Sequence, residues 1–578
     1  MLETNTESPK RSFTVEMGLY GLILLLALAL RLINLGRWPL VDLEAGMALS
    51  AWRFARALPS SLRGFSPLLF NWSALVSFLS GGTDGLVRGL SLLAGSAMVL
   101  WPFGLRRYLG RVGALASALL LAFSPSLVFF SRLADGTILL AFCGLGLVWA
   151  TLGYWETRER SYLIWAAVLK TVALLSSPLV YTLLLVLLAL PAALWLHRRV
   201  AHEDEPWLLW SNSVKAMVAD RAAWLPACVA VGLVLLVGGL GLMINPLGLQ
   251  QALDLFGRWV GGLEWLRGTW YRLPLLLVAY EALLLVLGLA GLVTERSRRD
   301  LTSFLLRAWL GVALLVSIVP GYRPPASVVL VLIPLCLLGG QAVERLWGAL
   351  GEWKTHPLLW ALVGAGCLVA FASLIQLVTY LANPSTPYLL RIAALAVFLL
   401  SLYALAWSLR GIAVPLRALV VLALVLLAVG GLRTMARVNY LTARDPLEPL
   451  VGSTVSPEVL DLARYAARFS SETKGDPRVL SWQVDESLEV PVSWYLRQFD
   501  NVRFERRLPD APTADGLIFP VAAGQPARYV GLRLAIHSYY PGGSFSLNEW
   551  VRWWVGLKSA VSIITNEDAV LWVRAPQQ

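Results

Sequence analysis

Charge is scarce in this chain: Asp, Glu, Lys and Arg make up 15% of its 578 residues, against 57% that are hydrophobic. So few charges exclude an ordinary soluble surface. The apolar residues come in repeated runs of about 20, the length that crosses a bilayer core, and mark a polytopic membrane protein. Cysteine is also sparse. Cys143, Cys228, Cys336 and Cys367 all fall inside apolar runs, which leaves no disulfide framework or Cys-rich metal cluster for an exported domain. Of the four histidines, His197, His202 and His356 lie beside basic loops and only His537 belongs to the carboxy-terminal polar region. A multi-histidine zinc site there is excluded on that count. His537, with Tyr539 and Tyr540, reads as a packed polar aromatic cluster.

What is present is apolar length. The first run, Val15 to Leu35, is too long for a signal-peptide core and lacks a small-residue cleavage site, so it reads as a retained span. About 13 spans follow from the window argument, near 15-35, 85-105, 112-130, 137-155, 162-178, 181-196, 223-244, 273-293, 301-319, 326-343, 357-381, 388-409 and 414-432. The net charge of +12 does not indicate nucleic acid, because the basic residues gather in short loops between alternate spans, on one side of the membrane. That side is read as cytoplasmic. The reading gives a cytoplasmic tail over 1-14, a transmembrane domain over 15-432 with its first outer loop at 36-84, and an extracytoplasmic domain over 433-578. In that domain a helix-like "SPEVLDLARYAARFSS" precedes strand-like "RVLSW", "NVRFERR", "DGLIFPV" and "AVLWVRA", the alternation of a small α/β domain. "VPVSWYLRQF" lies between them. No fixed-period repeat or low-complexity segment is present.

Two acids, Asp42 and Glu44, stand in "WPLVDLEAGMALSAW" just after the first span. A carboxylate held at the outer membrane surface can act as general base toward an acceptor hydroxyl or help hold a divalent cation. The same pair also suits a helix start, where acids favour the macrodipole. After it, "EAGMALSAWRFARAL" has the spacing of an amphipathic helix lying in the membrane interface. Arg323 in "GYRPPAS" offers a planar guanidinium to a phosphate and Tyr322 beside it a hydroxyl, with snorkelling at a span end as the plain alternative. In "DLFGRWVGGLEWLRGTWYR", Arg258, Glu264, Arg267 and Arg272 alternate with Trp259, Trp265 and Trp270. That segment is either a substrate-covering loop or an interfacial aromatic belt. Lys170, inside a span, reads as a snorkelling side chain.

The stretch Arg31 to Leu140 resembles the amino-terminal half of the GT-C superfamily of polyprenyl-phosphate-sugar-dependent glycosyltransferases, and within it the mannosyltransferase-like, flippase-activity-associated group. "LRLINLG" then "WPLVDLEAGMAL", "SPLLF", "VRGLSLLAGS" and "LGRVGALASALLLAFSPSLVFFSR" carry the resemblance. "SPEVLDLARYAARF" and "VSWYLRQFDNVRF" resemble that group's exported domain. The resemblance implies a polytopic α-helical membrane protein with a GT-C-like transmembrane domain and a small carboxy-terminal α/β exported domain, multi-pass in the cytoplasmic membrane with its amino terminus inside. It implies transfer of a sugar, with inversion, from a polyprenyl-phosphate donor to an acceptor glycan, lipid or protein at the outer face. Glu44 or Asp42 would be the base or a cation ligand, and Arg132, Asp135, Tyr322, Arg323 and Arg272 would meet the substrate. No other cofactor is implied.

Two positions depart from the pattern. Members carry Asp-Glu-Ala where this chain, aligned on Ala45, has Leu43 at the Asp position, Glu44 in register and Asp42 one place early. A one-residue displacement turns a helical side chain by about 100°. In "FFSRLADGTI", an Asn-Asp or His-Asp pair gives way to Asp135, Gly136 and Thr137. These departures motivate a second reading, a non-catalytic relative that binds a lipid-linked glycan or a partner protein. A transporter is the weaker third, because the polar groups gather at one face.

Overall fold

The computed structural model describes residues 15–61, 64–201, 205–263, 272–293, 301–318, 324–351, 356–451, 453–539, 547–555 and 564–575. Helix α1 (Val15–Leu32) opens the bundle. Among the described residues seven helices are long and apolar enough to cross a membrane, or nine if two bent pairs each count as one span. Three further expected spans fall on the shorter apolar helices Gly89–Gly104, Val180–Leu196 and Thr302–Ile318, and the one near 162-178 on the 15-residue helix Arg160–Leu174.

The two bent pairs meet through one set of contacts. Pro125 ends the Arg111–Phe123 helix and starts Pro125–Ser131 at 57° to it, while Arg272–Tyr280 and Ala282–Val293 meet at 103°. A break leaves backbone carbonyls and N–H groups without helical partners, which is costly away from water. Here two buried charges take them. Arg31 donates to the carbonyls of Leu121 and Ala122 and to Ser131 Oγ at 3.1 Å. Glu281, at the other bend, accepts from Ser126 N–H at 2.9 Å and Ser124 Oγ at 2.7 Å. One break is thus stitched from both of its ends.

Between the first two spans lie α2 (Asp42–Ala55) and α3 (Pro67–Ser80). Ser66 caps α3 by accepting Leu69 N–H, Pro67 occupies its first turn, and Gly81 ends it with φ +76°. The apolar side of α2 does not face lipid: Ala45, Ala48, Leu49 and Trp52 form a buried cluster with Leu69 and Phe70 of α3 and with Trp494 of the carboxy-terminal domain.

That domain is a six-stranded mixed sheet: β1 (Ser453–Val455), β2 (Trp482–Asp485), β3 (Val502–Glu505), β4 (Gly516–Pro520), β5 (Tyr529–Tyr539) and β6 (Thr565–Arg574). The strand order is β1-β5-β6-β4-β2-β3, with β2 parallel to β3 and β4 and the other pairs antiparallel. The helix Glu458–Lys474 packs Val459, Leu462 and Ala466 into the sheet core with Val484, Ile518 and Ile536. "VPVSWYLRQF" falls on the helix Glu489–Leu496, which docks the domain onto the first connecting segment. Trp494 Nε1 and Tyr495 OH each donate to Asp84 at 2.8 Å, and Tyr495 OH accepts Leu40 N–H at 2.8 Å. Arg497 donates to Gly82 O at 2.8 Å.

Candidate active site

A cavity of about 360 Å³ lies where the start of α2, the turn before the Thr137–Thr157 helix, the Gly248–Gly261 helix and the linker into the carboxy-terminal domain converge. Asp42, Glu44, Asp135, Thr137, Arg258 and Arg444 give it polar groups, and Met47, Leu69, Phe129 and Leu255 give it apolar walls. Val455 of β1 and Leu450 line it from the carboxy-terminal side.

The two opening acids have different surroundings. Glu44 is buried, and both its oxygens are taken: Oε2 accepts from Arg88 Nη2 at 2.7 Å and Val41 N–H at 3.0 Å, and Oε1 from Arg88 Nε at 3.2 Å and Ala134 N–H at 2.5 Å. Arg444 Nη2 stands 3.7 Å from Oε2. Burial pushes the Glu44 carboxyl up, but the Arg88 and Arg444 guanidiniums and the Ala134 N–H outweigh it and hold it below the usual carboxylate range. Asp42, two residues earlier, has a side chain 54% exposed, and His537 Nε2 lies 2.9 Å from its Oδ1. Leu43, at the position where the resembling family carries Asp, is 68% exposed and also lines the cavity.

Asp135 is half-buried at the floor, where its Oδ1 accepts Thr137 N–H at 2.8 Å and Thr137 Oγ1 at 2.7 Å. Burial raises its carboxyl above the ordinary value, against those two bonds. Gly136 between them answers a close approach, since a Cβ there would lie 1.8 Å from Ser176 O. His537, whose other ring nitrogen is 3.3 Å from Glu567 Oε2, is raised by its Asp42 bond against the opposing effect of burial.

Two guanidiniums line the cavity. Arg444 donates to Pro39 O at 3.0 Å, yet its buried Nε–H has no hydrogen-bond partner among the described residues. Burial, with Arg88 alongside, brings Arg444 down to about 10. Arg258 donates to Gly64 O. Arg88 and Arg444 both face Glu44 and offset its charge, which leaves Arg258 and Arg444 as the cationic groups of the lining.

The other expected substrate residues are placed elsewhere. Arg132 caps the end of α1, its Nη1 donating to the carbonyls of Leu30, Arg31 and Ile33 at 3.2, 3.1 and 2.7 Å, and it stacks on Tyr440. Arg272 donates to Pro449 O at 3.4 Å and is not part of the cavity lining. Tyr322 and Arg323 lie outside the described residues, as do Glu264, Trp265, Arg267 and Trp270; Pro324 and Pro325, which follow the first two, line the cavity. Trp259 packs on Tyr181 and donates to Thr182.

Glu44 is not placed to hold a divalent cation. A hard cation needs free oxygen ligands, whereas Glu44's oxygens already accept from N–H groups on a wall that carries two guanidiniums. No group of three or more His, Cys, Asp or Glu placed to hold a metal occurs among the described residues. Arg88, Arg444 and His537 are site residues that motif spacing did not single out. Only Arg88 had a signal, its place in "VRGLSLLAGS".

Residues 66–237 match the family model of dolichyl-phosphate-mannose-protein mannosyltransferases. The crystal structure of ArnT from Cupriavidus metallidurans bound to undecaprenyl phosphate matches with a TM-score of 0.53 at 16% identity, over 97% of this chain and 99% of that one. Its apo form gives 0.53 at 17% identity, over 98% and 100%. The oligosaccharyltransferase AglB from Archaeoglobus fulgidus, in complex with an inhibitory peptide and a dolichol-phosphate, gives 0.44 at 12% identity, over 83% of this chain and 63% of that one. No curated protein sequence matches the chain.

Proposed function

We propose that this chain, a multi-pass membrane protein with the fold of the GT-C glycosyltransferase superfamily, transfers a sugar from a polyprenyl-phosphate carrier to an acceptor hydroxyl or amine in the cavity described above. The observation that carries the reading is the cavity's division of labour: a half-exposed carboxylate, Asp42, on one rim and an arginine with an unsatisfied buried N–H, Arg444, on another wall. The phosphate-carrying ligand in the ArnT structure supports a lipid phosphate as the donor class.

In this mechanism Asp42 takes the proton from the acceptor as its oxygen or nitrogen attacks the anomeric carbon. The bond from that carbon to the phosphate oxygen breaks, and polyprenyl phosphate leaves with the electron pair. Attack opposite the leaving group inverts the anomeric centre. Arg444 and Arg258 hold the charge that develops on the phosphate. Tyr322 and Arg323 are proposed to join them, and Asp135 to shape the floor. The acceptor side lies outside the cytoplasm, beneath the carboxy-terminal domain. A direct test is transfer from radiolabelled polyprenyl-phosphate hexoses in membranes containing the full chain. Asp42→Asn is expected to lower it by roughly 10²- to 10⁴-fold; undiminished transfer removes Asp42 from the mechanism.

One observation favours the second reading, a binding protein without turnover: Leu43 presents an apolar side chain to the cavity at the family's acidic position. Binding of polyprenyl phosphate without transfer from any of these donors would decide for it.

A further inference from the structure

His537 joins the carboxy-terminal sheet to the cavity through Asp42, and the strand that carries it is deformed at that point. Along β5 and β6, Ala535 pairs with Asp568 and His537 with Glu567, so two steps on β5 oppose one on β6 and Ile536 is the extra residue of a bulge. Such bulges bend a strand and re-aim its side chains. The backbone groups around this one are satisfied from outside the β5–β6 ladder: Ala535 N–H donates to Glu458 Oε2 at 2.6 Å, and Ile536 O accepts Ser456 N–H at 2.8 Å. The ring that emerges is held at both nitrogens. Nδ1 lies 3.3 Å from Glu567 Oε2, and Nε2 lies 2.9 Å from Asp42 Oδ1. The histidine side chain is largely covered, at 18% exposure.

We propose that His537 is a positioning residue of the transfer site: the Glu567–His537 pair fixes the Asp42 carboxylate through Oδ1, so that its second oxygen meets the acceptor. This rests on the glycosyl-transfer reading above. Asp42 begins α2, and an exposed carboxylate on a helix's first turn samples several rotamers when unrestrained. Orienting a general base through a hydrogen bond to its far side is the logic by which second partners act in catalytic sites. The groups that face the ring are Asp42 from α2 and Glu567 from β6; Glu458 bonds the bulge backbone. The contact is distinct from the domain's docking bonds. Trp494 and Tyr495 hold Asp84, and neither they nor Asp84 line the cavity.

The test uses the full chain in membranes and radiolabelled polyprenyl-phosphate hexoses, with His537→Ala, His537→Gln, Tyr495→Phe and Asp42→Asn compared per folded molecule. Gln places an N–H near the position of Nε2. His537→Ala is expected to lower kcat by roughly 10- to 100-fold with donor KM little changed, and His537→Gln to recover most of that loss. Tyr495→Phe, which removes the two docking bonds of that hydroxyl to Asp84 and Leu40 N–H, is expected to keep the wild-type kcat. Wild-type kcat in His537→Ala overturns the proposal, as does an equal loss in His537→Ala and His537→Gln. If Asp42→Asn transfers like wild type, the general-base reading falls instead. A second measurement needs no turnover. In chain labelled with 15N-histidine, which carries only four such rings, Asp42→Ala is expected to shift the His537 signals. Unmoved His537 signals also overturn the proposal.

Discussion

Arg88 grips Glu44 by two charge-assisted hydrogen bonds, Nη2 to Oε2 at 2.7 Å and Nε to Oε1 at 3.2 Å, with both side chains out of solvent. The rest of the Arg88 guanidinium donates to the carbonyls of Leu35, Trp38 and Pro39. One ion pair therefore ties the end of the first span's loop to the start of α2, and through Ala134 N–H to the turn that carries Asp135. Glu44 is held on both oxygens at the edge of the cavity, and Asp42 is the acid proposed above as the general base.

Removing one partner of that pair leaves a buried charge uncompensated, which typically costs about 3–5 kcal/mol. Glu44→Ala is expected to lower the thermal unfolding midpoint of the detergent-purified chain well below that of Asp42→Asn. Adding Arg88→Met is expected to return part of the loss. Equal midpoints for the Glu44 and Asp42 variants would contradict the assignment.

The same pair sets a pH dependence. The Glu44 carboxyl sits below its ordinary value of 4.5 in the folded chain, where the arginines outweigh burial. Its stabilisation is therefore fully present above that ordinary value and is lost as pH falls through the depressed folded value. Unfolding midpoints measured on descending pH should fall more steeply for wild type than for Glu44→Gln, in which the group cannot titrate.

Arg444 and Arg132 should separate by readout. A hydrogen bond to a charged group contributes about 1.5–3 kcal/mol, so Arg444→Ala is expected to weaken polyprenyl phosphate binding by roughly 10- to 100-fold. Arg132→Ala opens the carbonyl cap at the end of α1 and is expected to lower the unfolding midpoint with little change in that affinity. Isothermal titration in detergent and thermal unfolding on the same preparations check both.

Gly136→Ala would place a methyl 1.8 Å from Ser176 O, and backbone must move to admit it. Overpacking of this kind costs about 1–3 kcal/mol. Because the displaced turn carries Asp135 and Thr137, both stability and polyprenyl phosphate affinity are expected to fall; a variant equal to wild type in both would show that the turn yields without consequence.

Much of this architecture is legible in the sequence, because long apolar runs and charge-bearing loops are local signals. The helix expected from Ser456 is present, with Ser456 Oγ accepting Glu458 N–H, and β3, β4 and β6 fall on the expected segments. β5 is harder to see in the sequence, although Val530, Leu532, Leu534 and Ile536 alternate along it; Gly531 and the polar end at His537 obscure the pattern. Interior charges were harder. Lys170, conspicuous in the sequence, is exposed, while Arg31 and Glu281 are buried at helix breaks that only the tertiary bends create. The site was legible as a region, from Asp42, Glu44 and Asp135. What separates the two acids is the pairing of Glu44 with Arg88 and with Arg444, 400 residues from Glu44, and the strand bulge that brings His537 to Asp42; the last two leave no spacing signature.

The most direct test is a cryo-EM structure of the full chain with polyprenyl phosphate bound. The account predicts the phosphate inside the cavity, within hydrogen-bonding reach of Arg444 Nε and next to Arg258, with Asp42 facing it and the Arg88–Glu44 pair intact. A phosphate bound outside this cavity, or one that takes Arg88 away from Glu44, would contradict it.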